Sequence, residues 1–442
     1  MIEYIKHNEG TFTSLTTEQK KAVGLLSIGT FLEYFDLMLY VHMTVLLNEL
    51  FFPKADPHTQ AIYSAFAFCS TYVMRPVGAI IFGLVGDMMG RKATIIITTF
   101  LMSSSCLAMA LVPTYAEKGF IATIIVITCR IIQGLSSMGE IVGAQLYLLE
   151  ITKPPIQYPI VLMTSVFANL GGMIALAVAS LVTSFGFNWR IAFLIGTIIA
   201  IVGAVARTAL RETPEFADAK RRVKKNITLI QKTTDNPLKD NLIYNESVNL
   251  KTVFFLLLIS CGWPICFYFT YIYCGEILKN SFNFTAEAVI HHNFIVAIVN
   301  FCAYLILTYL SYIIYPLKIL KVKLVIFFIF ALICPYLLNN ITTSVHLFLI
   351  QSFVMLFFLS ANPAMPIFLK HFPVFKRFRT ASIIFALSTV SMNIIISFGL
   401  VYLTKYFGHW GIQMILFPII IGFTLGLNYF NNLEKNKISC LF

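Results

Sequence analysis

The stretch Gly86-Asp87-Met88-Met89-Gly90-Arg91-Lys92 decides how this chain is read. It is a short charged turn between two long apolar segments. Its glycines allow a tight reversal that other residues resist. Asp87 lies where a helix over about 61–85 ends. A carboxylate there meets the negative end of the helix dipole, which is unfavourable. It therefore needs a cation, Arg91 or Lys92, or the N-terminus of another helix. Such a turn reads as a latch at a membrane face, with Gly86, Asp87, Gly90, Arg91 and Lys92 as its parts.

The apolar segments on either side are part of a longer series. Of 442 residues, 58% are hydrophobic and only 12% charged, with mean hydropathy +0.82. Soluble domains carry about 25% charged residues, so this chain cannot cover its surface with polar groups in water. Apolar spans fall at 22–47, 61–85, 94–112, 119–146, 159–184 and 191–210. They resume at 251–278, 288–314, 322–338, 344–369, 380–404 and 409–430. Each is long enough to cross a bilayer as a helix, some tilted. The expectation is an all-α membrane protein of twelve transmembrane helices. Residues 1–210 would form one six-helix bundle, 211–250 a cytoplasmic linker loop, and 251–442 a second bundle with a short tail.

The net charge of +12 is not a nucleic-acid signature here. Basic residues gather in alternate loops: Arg91 and Lys92, Lys153, Lys318 with Lys321 and Lys323, then Lys376, Arg377 and Arg379. The linker adds Arg211, Lys220, Arg221, Arg222, Lys224 and Lys225. The other loops hold few cations. The positive-inside rule then puts both termini in the cytoplasm. The nine cysteines are scattered through apolar spans without a C-x-x-C pair, so they read as small packing residues, and no metal site is expected. No nucleophile–base pair or phosphate-binding loop is visible, which argues against an enzyme.

An ionisable group at mid-membrane costs several kcal/mol unless paired or hydrated, so each one is a functional candidate. Glu33 and Asp36 stand three apart on one face of helix 1. Two carboxylates so close oppose each other's ionisation, and burial does the same, so one could hold a proton near neutral pH. The alternative is a static pair with a buried arginine. Arg75 in helix 2 and Arg130 in helix 4 are the available partners, and either could instead bind a substrate carboxylate. Gln133 and Glu140 follow Arg130 at one and about three turns, so the three could line one cavity, with Glu140 a second proton site or a gate. Glu150, at the end of helix 4, reads as a gate salt bridge. In helix 7, Trp263, Tyr268, Phe269, Tyr271 and Tyr273 could form a cage for a quaternary ammonium, with Tyr268 and Tyr271 the substrate contacts, or could be ordinary membrane aromatics. Asn362, Pro363 and Pro366 interrupt helix 10, as a transport-path break or as a packed kink.

The 86–92 turn resembles the G-D-x-x-G-R-K loop between helices 2 and 3 of the major facilitator superfamily. Further stretches are similar to its metabolite:proton symporter family. Gly29, Glu33 and Asp36 match the helix 1 signature G-N-x-x-E-W-Y-D. Arg75, Pro76, Gly78, Phe82 and Gly83 match helix 2, and Arg130, Gln133, Gly134, Gly139, Glu140, Gly143 and Ala144 match helix 4. Arg211-Glu212-Thr213-Pro214-Glu215-Phe216 fits the segment after helix 6. The second half departs, with Ala386 where helix 11 of the family has asparagine and no acid in Tyr315-Pro316-Leu317-Lys318.

The resemblance implies proton-coupled uptake of a small polar metabolite, such as proline, betaine or an organic acid, by alternating access. It implies no cofactor beyond the coupling proton. The expected setting is a bacterial inner membrane, with bilayer and small-molecule substrate as partners, no nucleic acid, and a monomer. An exporter and a non-transporting sensor are the other readings.

Overall fold

The computed structural model describes residues 15–53, 72–185, 188–208, 210–230 and 246–439. The described residues are helical with short connections and contain no strand. The first six helices are α1 (Thr17–Phe51), α2 (Arg75–Met88), α3 (Arg91–Leu111), α4 (Phe120–Ile151), α5 (Gln157–Phe185) and α6 (Trp189–Arg207). A polar helix, Pro214–Ile230, follows. The last six are α7 (Leu250–Phe282), α8 (Ala286–Ile313), α9 (Pro316–Asn339), α10 (Ser344–Phe357), α11 (Val374–Phe407) and α12 (Gln413–Ser439). Among the described residues, eight helices are long and apolar enough to cross a bilayer, and α6 and α10 contain shorter apolar stretches. This is the twelve-helix architecture expected. The part of helix 2 expected over 61–71 lies outside the described residues, as does Lys54.

Local chemistry sets the boundaries. Asn249, Thr285 and Thr343 accept backbone N–H groups at the starts of α7, α8 and α10, which satisfies donors that a helix start leaves unpaired. Gly90 closes the α2–α3 turn at φ 114°, a conformation that side chains resist. Large apolar residues such as Ile80, Ile81, Ile121, Ile124, Ile329 and Leu332 point outward. Such an apolar exterior suits lipid, whereas polar side chains collect inside.

Three expectations need correction. Helix 10 does not run to 369: α10 stops at Phe357, and a separate short helix covers Met365–Leu369. Pro363 and Pro366 have no N–H to continue the ladder. Helix 7 is not one regular helix, because Phe269–Tyr273 form a π turn. Lys323 is no loop cation: α9 begins at Pro316, and Lys323 is buried on it while Lys318 and Lys321 are exposed.

Contacts between the first and last six helices run mainly along α2 with α11 and α5 with α8. Small residues permit both. A methyl group on Gly83 would lie 2.7 Å from the Arg379 backbone, and one on Gly86 2.4 Å from the Phe378 ring. These close approaches seat the start of α11 on α2.

Candidate functional site

A small cavity inside the first six helices is lined by Glu33, Asp36 and Leu37 of α1, Arg75 of α2, Met102 of α3, and Arg130, Gln133 and Ser137 of α4. Five of the expected proton or substrate residues, Glu33, Asp36, Arg75, Arg130 and Gln133, thus meet in one place. The three-residue spacing of Glu33 and Asp36, and of Arg130 and Gln133, turns each pair to the same side. Arg130 donates to Gln133 Oε1 at 2.8 Å and lies 4.0 Å over the Tyr40 ring. Arg75 Nη2 stands 3.9 Å from Glu33 Oε1. That is close enough for charge attraction and too long for a hydrogen bond. Both Glu33 oxygens, Arg75 Nε, Arg130 Nε and Nη2, and Gln133 Nε2 are buried without a hydrogen-bond partner among the described residues. Buried polar groups are ordinarily satisfied. Donors and acceptors left free on the wall of a cavity are suited to a polar ligand or an exchangeable proton.

Glu140 is not among the lining residues. It pairs with Arg207 at 2.6 Å, and Thr99 hydrogen-bonds to both partners. Arg207 also donates to the carbonyls of Leu25 at 3.1 Å and Leu26 at 3.3 Å. One fully buried arginine so ties α6 to α1, α3 and α4. Gly29 makes the room: a methyl group there would sit 1.4 Å from Arg207 Nη2. Sequence reading missed Arg207, which looks like a charge at the end of an apolar span.

A second polar cluster joins α5 to the last six helices. Tyr271 lies beside Asn300. Asn300 donates to Asn169 Oδ1 at 2.6 Å, and Asn169 lies beside Tyr304. Asn362, in the break after α10, donates to Ser165 at 2.9 Å. These uncharged groups join α5 to α7, α8 and the break, and apart from Tyr271 and Asn362 the sequence did not flag them. The aromatics expected to form one cage divide into two rows. Trp263, Phe267 and Tyr271 follow at i, i+4 spacing, whereas Phe269 stacks on Tyr273, which bonds His409. Tyr268 falls in neither row and packs against the apolar core.

At the 86–92 turn, Asp87 accepts from the N–H groups of Phe378 and Arg379, both at 3.0 Å, near the start of α11. The carboxylate thus finds the helix N-terminus that its position demands, with Arg91 at 3.8 Å. Arg91 donates to Gly86 O at 2.7 Å, to Val374 O at 2.8 Å and to Glu150 at 2.9 Å. Glu150 also takes Thr213 at 2.6 Å and Arg377 at 3.3 Å. Glu212 accepts the backbone N–H of Arg91 at 3.0 Å and of Lys92 at 3.4 Å, and Glu215 pairs with Arg377 at 2.9 Å. Lys92 enters this network through its backbone. Gly90 is required twice over, since a methyl group would also lie 1.9 Å from Glu212.

The profile of the sugar (and other) transporter family matches residues 23–434. The chain belongs to that family. It is a multi-pass membrane protein of the major facilitator superfamily, a group of transporters rather than enzymes. Among curated proteins, it is 33% identical over 205 residues to the proline/betaine transporter of Salmonella typhimurium, covering 45% of this chain and 41% of that one. The Escherichia coli K12 proline/betaine transporter is 32% identical over the same length, with the same coverage. The chain spans about four-tenths of the length of these curated relatives. Among solved structures, a proton:xylose symporter bound to a bromodeoxyglucose aligns with TM-score 0.75 at 13% identity, covering 93% of this chain and 95% of the other. A human organic anion transporter aligns with TM-score 0.60 at 14% identity, covering 94% and 100%. At these identities the likeness concerns the fold.

Proposed function

We propose that this protein is a proton-coupled symporter that takes up a small polar metabolite by alternating access. The observation that carries the reading is the cavity of Glu33, Asp36, Arg75, Arg130 and Gln133, with buried polar atoms that have no hydrogen-bond partner among the described residues. Glu33 and Asp36 are the proton carriers, since arginine stays charged inside proteins. Glu140, also expected among them, now serves as a structural partner of Arg207. Arg75, Arg130 and Gln133 bind the substrate, and Tyr271 is the candidate contact from the other half; Tyr268 is the weaker candidate. No cofactor is needed beyond the proton. Proline, betaine and organic acids are the substrate classes, with the names of the curated relatives in favour of the first two.

Two bundles, 1–210 and 251–442, rock about this site, with 211–250 as the linker. The network of Asp87, Arg91, Glu150 and Arg377 is the cytoplasmic latch that holds the outward-open side of the cycle. Gly86, Gly90 and Lys92 shape its turn. The loop charges support cytoplasmic termini, in the inner membrane of a bacterium, with the monomer as the working unit. Uptake of radiolabelled proline, betaine, 2-oxoglutarate and citrate into proteoliposomes under an inward proton gradient tests the reading. Accumulation that collapses with an uncoupler is expected. Gradient-independent equilibration of every compound would overturn symport.

A further inference from the structure

Lys323 is a buried amine that no acid among the described residues answers. It is 6% exposed on α9, and its Nζ lies 3.7 Å from the centroid of the Phe358 ring. The Nζ has no hydrogen-bond acceptor among the described residues, and its titratable neighbour is the Cys266 thiol. The last six helices contain only three acids, Glu276, Glu287 and Glu434. Glu276 and Glu287 belong to the opposite end of the bundle, where α7 ends and α8 begins. Glu434 is engaged with His371 at 2.9 Å. Removing an ammonium from water without a counter-ion is costly, and one aromatic face returns only part of that cost.

The position of Lys323 links it to the central site. Phe358 packs against Trp263 at 4.9 Å and Tyr304 at 5.1 Å. Tyr304 in turn lies near Asn169 and Tyr34, the neighbour of Glu33. Lys323 therefore stands one ring behind Tyr304, which approaches the first half at Tyr34. Phe358 follows the last turn of α10, in the non-helical break, so it can turn aside without loss of a helix hydrogen bond. The charges on the other side balance. Glu33 and Asp36 are matched by Arg75 and Arg130, and Glu140 by Arg207. When protonated, Lys323 adds one positive charge that no acid among the described residues balances. A zwitterion leaves that surplus in place, whereas an anion neutralises it.

We infer that Lys323 is the anchor of the second half for a carboxylate of the transported compound, and that this compound is a net anion. The inference rests on the transport reading given above. Full-length wild type, Lys323→Met and Lys323→Arg are compared by ligand-induced thermal shift with lactate, 2-oxoglutarate, citrate, proline and glycine betaine. The same compounds are then offered to proteoliposomes. At least one of the three anions stabilises the wild type more than either zwitterion does. Lys323→Met weakens that anion by about tenfold or more, the scale of one charged hydrogen bond, while Lys323→Arg retains it. A ligand-free melting temperature and monodispersity equal to wild type separate lost binding from lost folding. Should the methionine variant fail these controls, Lys323→Gln carries the same test. No anion response in the wild type, or anion binding unchanged in Lys323→Met, overturns the anchor. Proton-driven uptake of a zwitterion that ignores Lys323→Met overturns the anchor and keeps the transport reading. Anion binding that depends on Lys323 without any flux keeps the anchor and overturns transport.

Discussion

At the scale of single residues, Asp36 and Gly29 show two kinds of dependence on buried charge. Asp36 lines the cavity, so Asp36→Asn removes a titrating oxygen and changes shape little. We expect that variant to lose proton-driven accumulation at least tenfold while it still exchanges substrate across the membrane. Counterflow beside net uptake checks this, and unchanged accumulation would remove Asp36 from coupling. Gly29 does not line that cavity, yet Gly29→Ala drives a methyl group into the Arg207 guanidinium. Disturbing a buried ion pair costs about 3–5 kcal/mol, so this variant should melt well below wild type in detergent. A melting temperature within a degree of wild type would contradict that packing. The sequence made Asp36 and its partners legible because charge inside an apolar span stands out by itself. It hid the Arg207–Glu140 pair because the partners are 67 residues apart and Arg207 closes its span like a loop cation. Lys323 was hidden for the same reason.

At the scale of helices, the charged turn acts by what it does to the start of α11. Asp87 holds two of its N–H groups, and Arg91 holds the Val374 carbonyl. Asp87→Asn leaves one oxygen and no charge to answer both donors. The expected result is a shift toward the conformation open at that end, read as faster labelling of a cysteine placed at Phe378. Labelling as slow as in the parent would show that α11 is held without Asp87. Arg91→Lys is not a conservative change, because an ammonium cannot reproduce three simultaneous directed contacts. It should lower the uptake rate about as much as Arg91→Ala, and intermediate uptake closer to wild type would count against that geometry. The turn was readable because its motif is local. The prolines marked an interruption of helix 10, but hydropathy alone did not place the end of α10 at Phe357, ahead of them. The bond between Asn169 and Asn300 stayed hidden because isolated amides in apolar spans carry no periodic signal.

At the scale of the whole molecule, the two sets of six helices meet through few polar contacts, and several belong to the segment between them. Glu212 holds the Arg91 backbone on one side, and Glu215 holds Arg377 on the other. That segment is therefore more than a tether: its side chains are part of the seam. Covalent continuity beyond Ile230 is then dispensable for recognition between the halves. Two separate polypeptides, residues 1–230 and 231–442, should find each other when co-expressed and restore uptake, because the first piece carries both carboxylates to the seam. A bundle pair held together only by its linker would instead yield two inactive fragments.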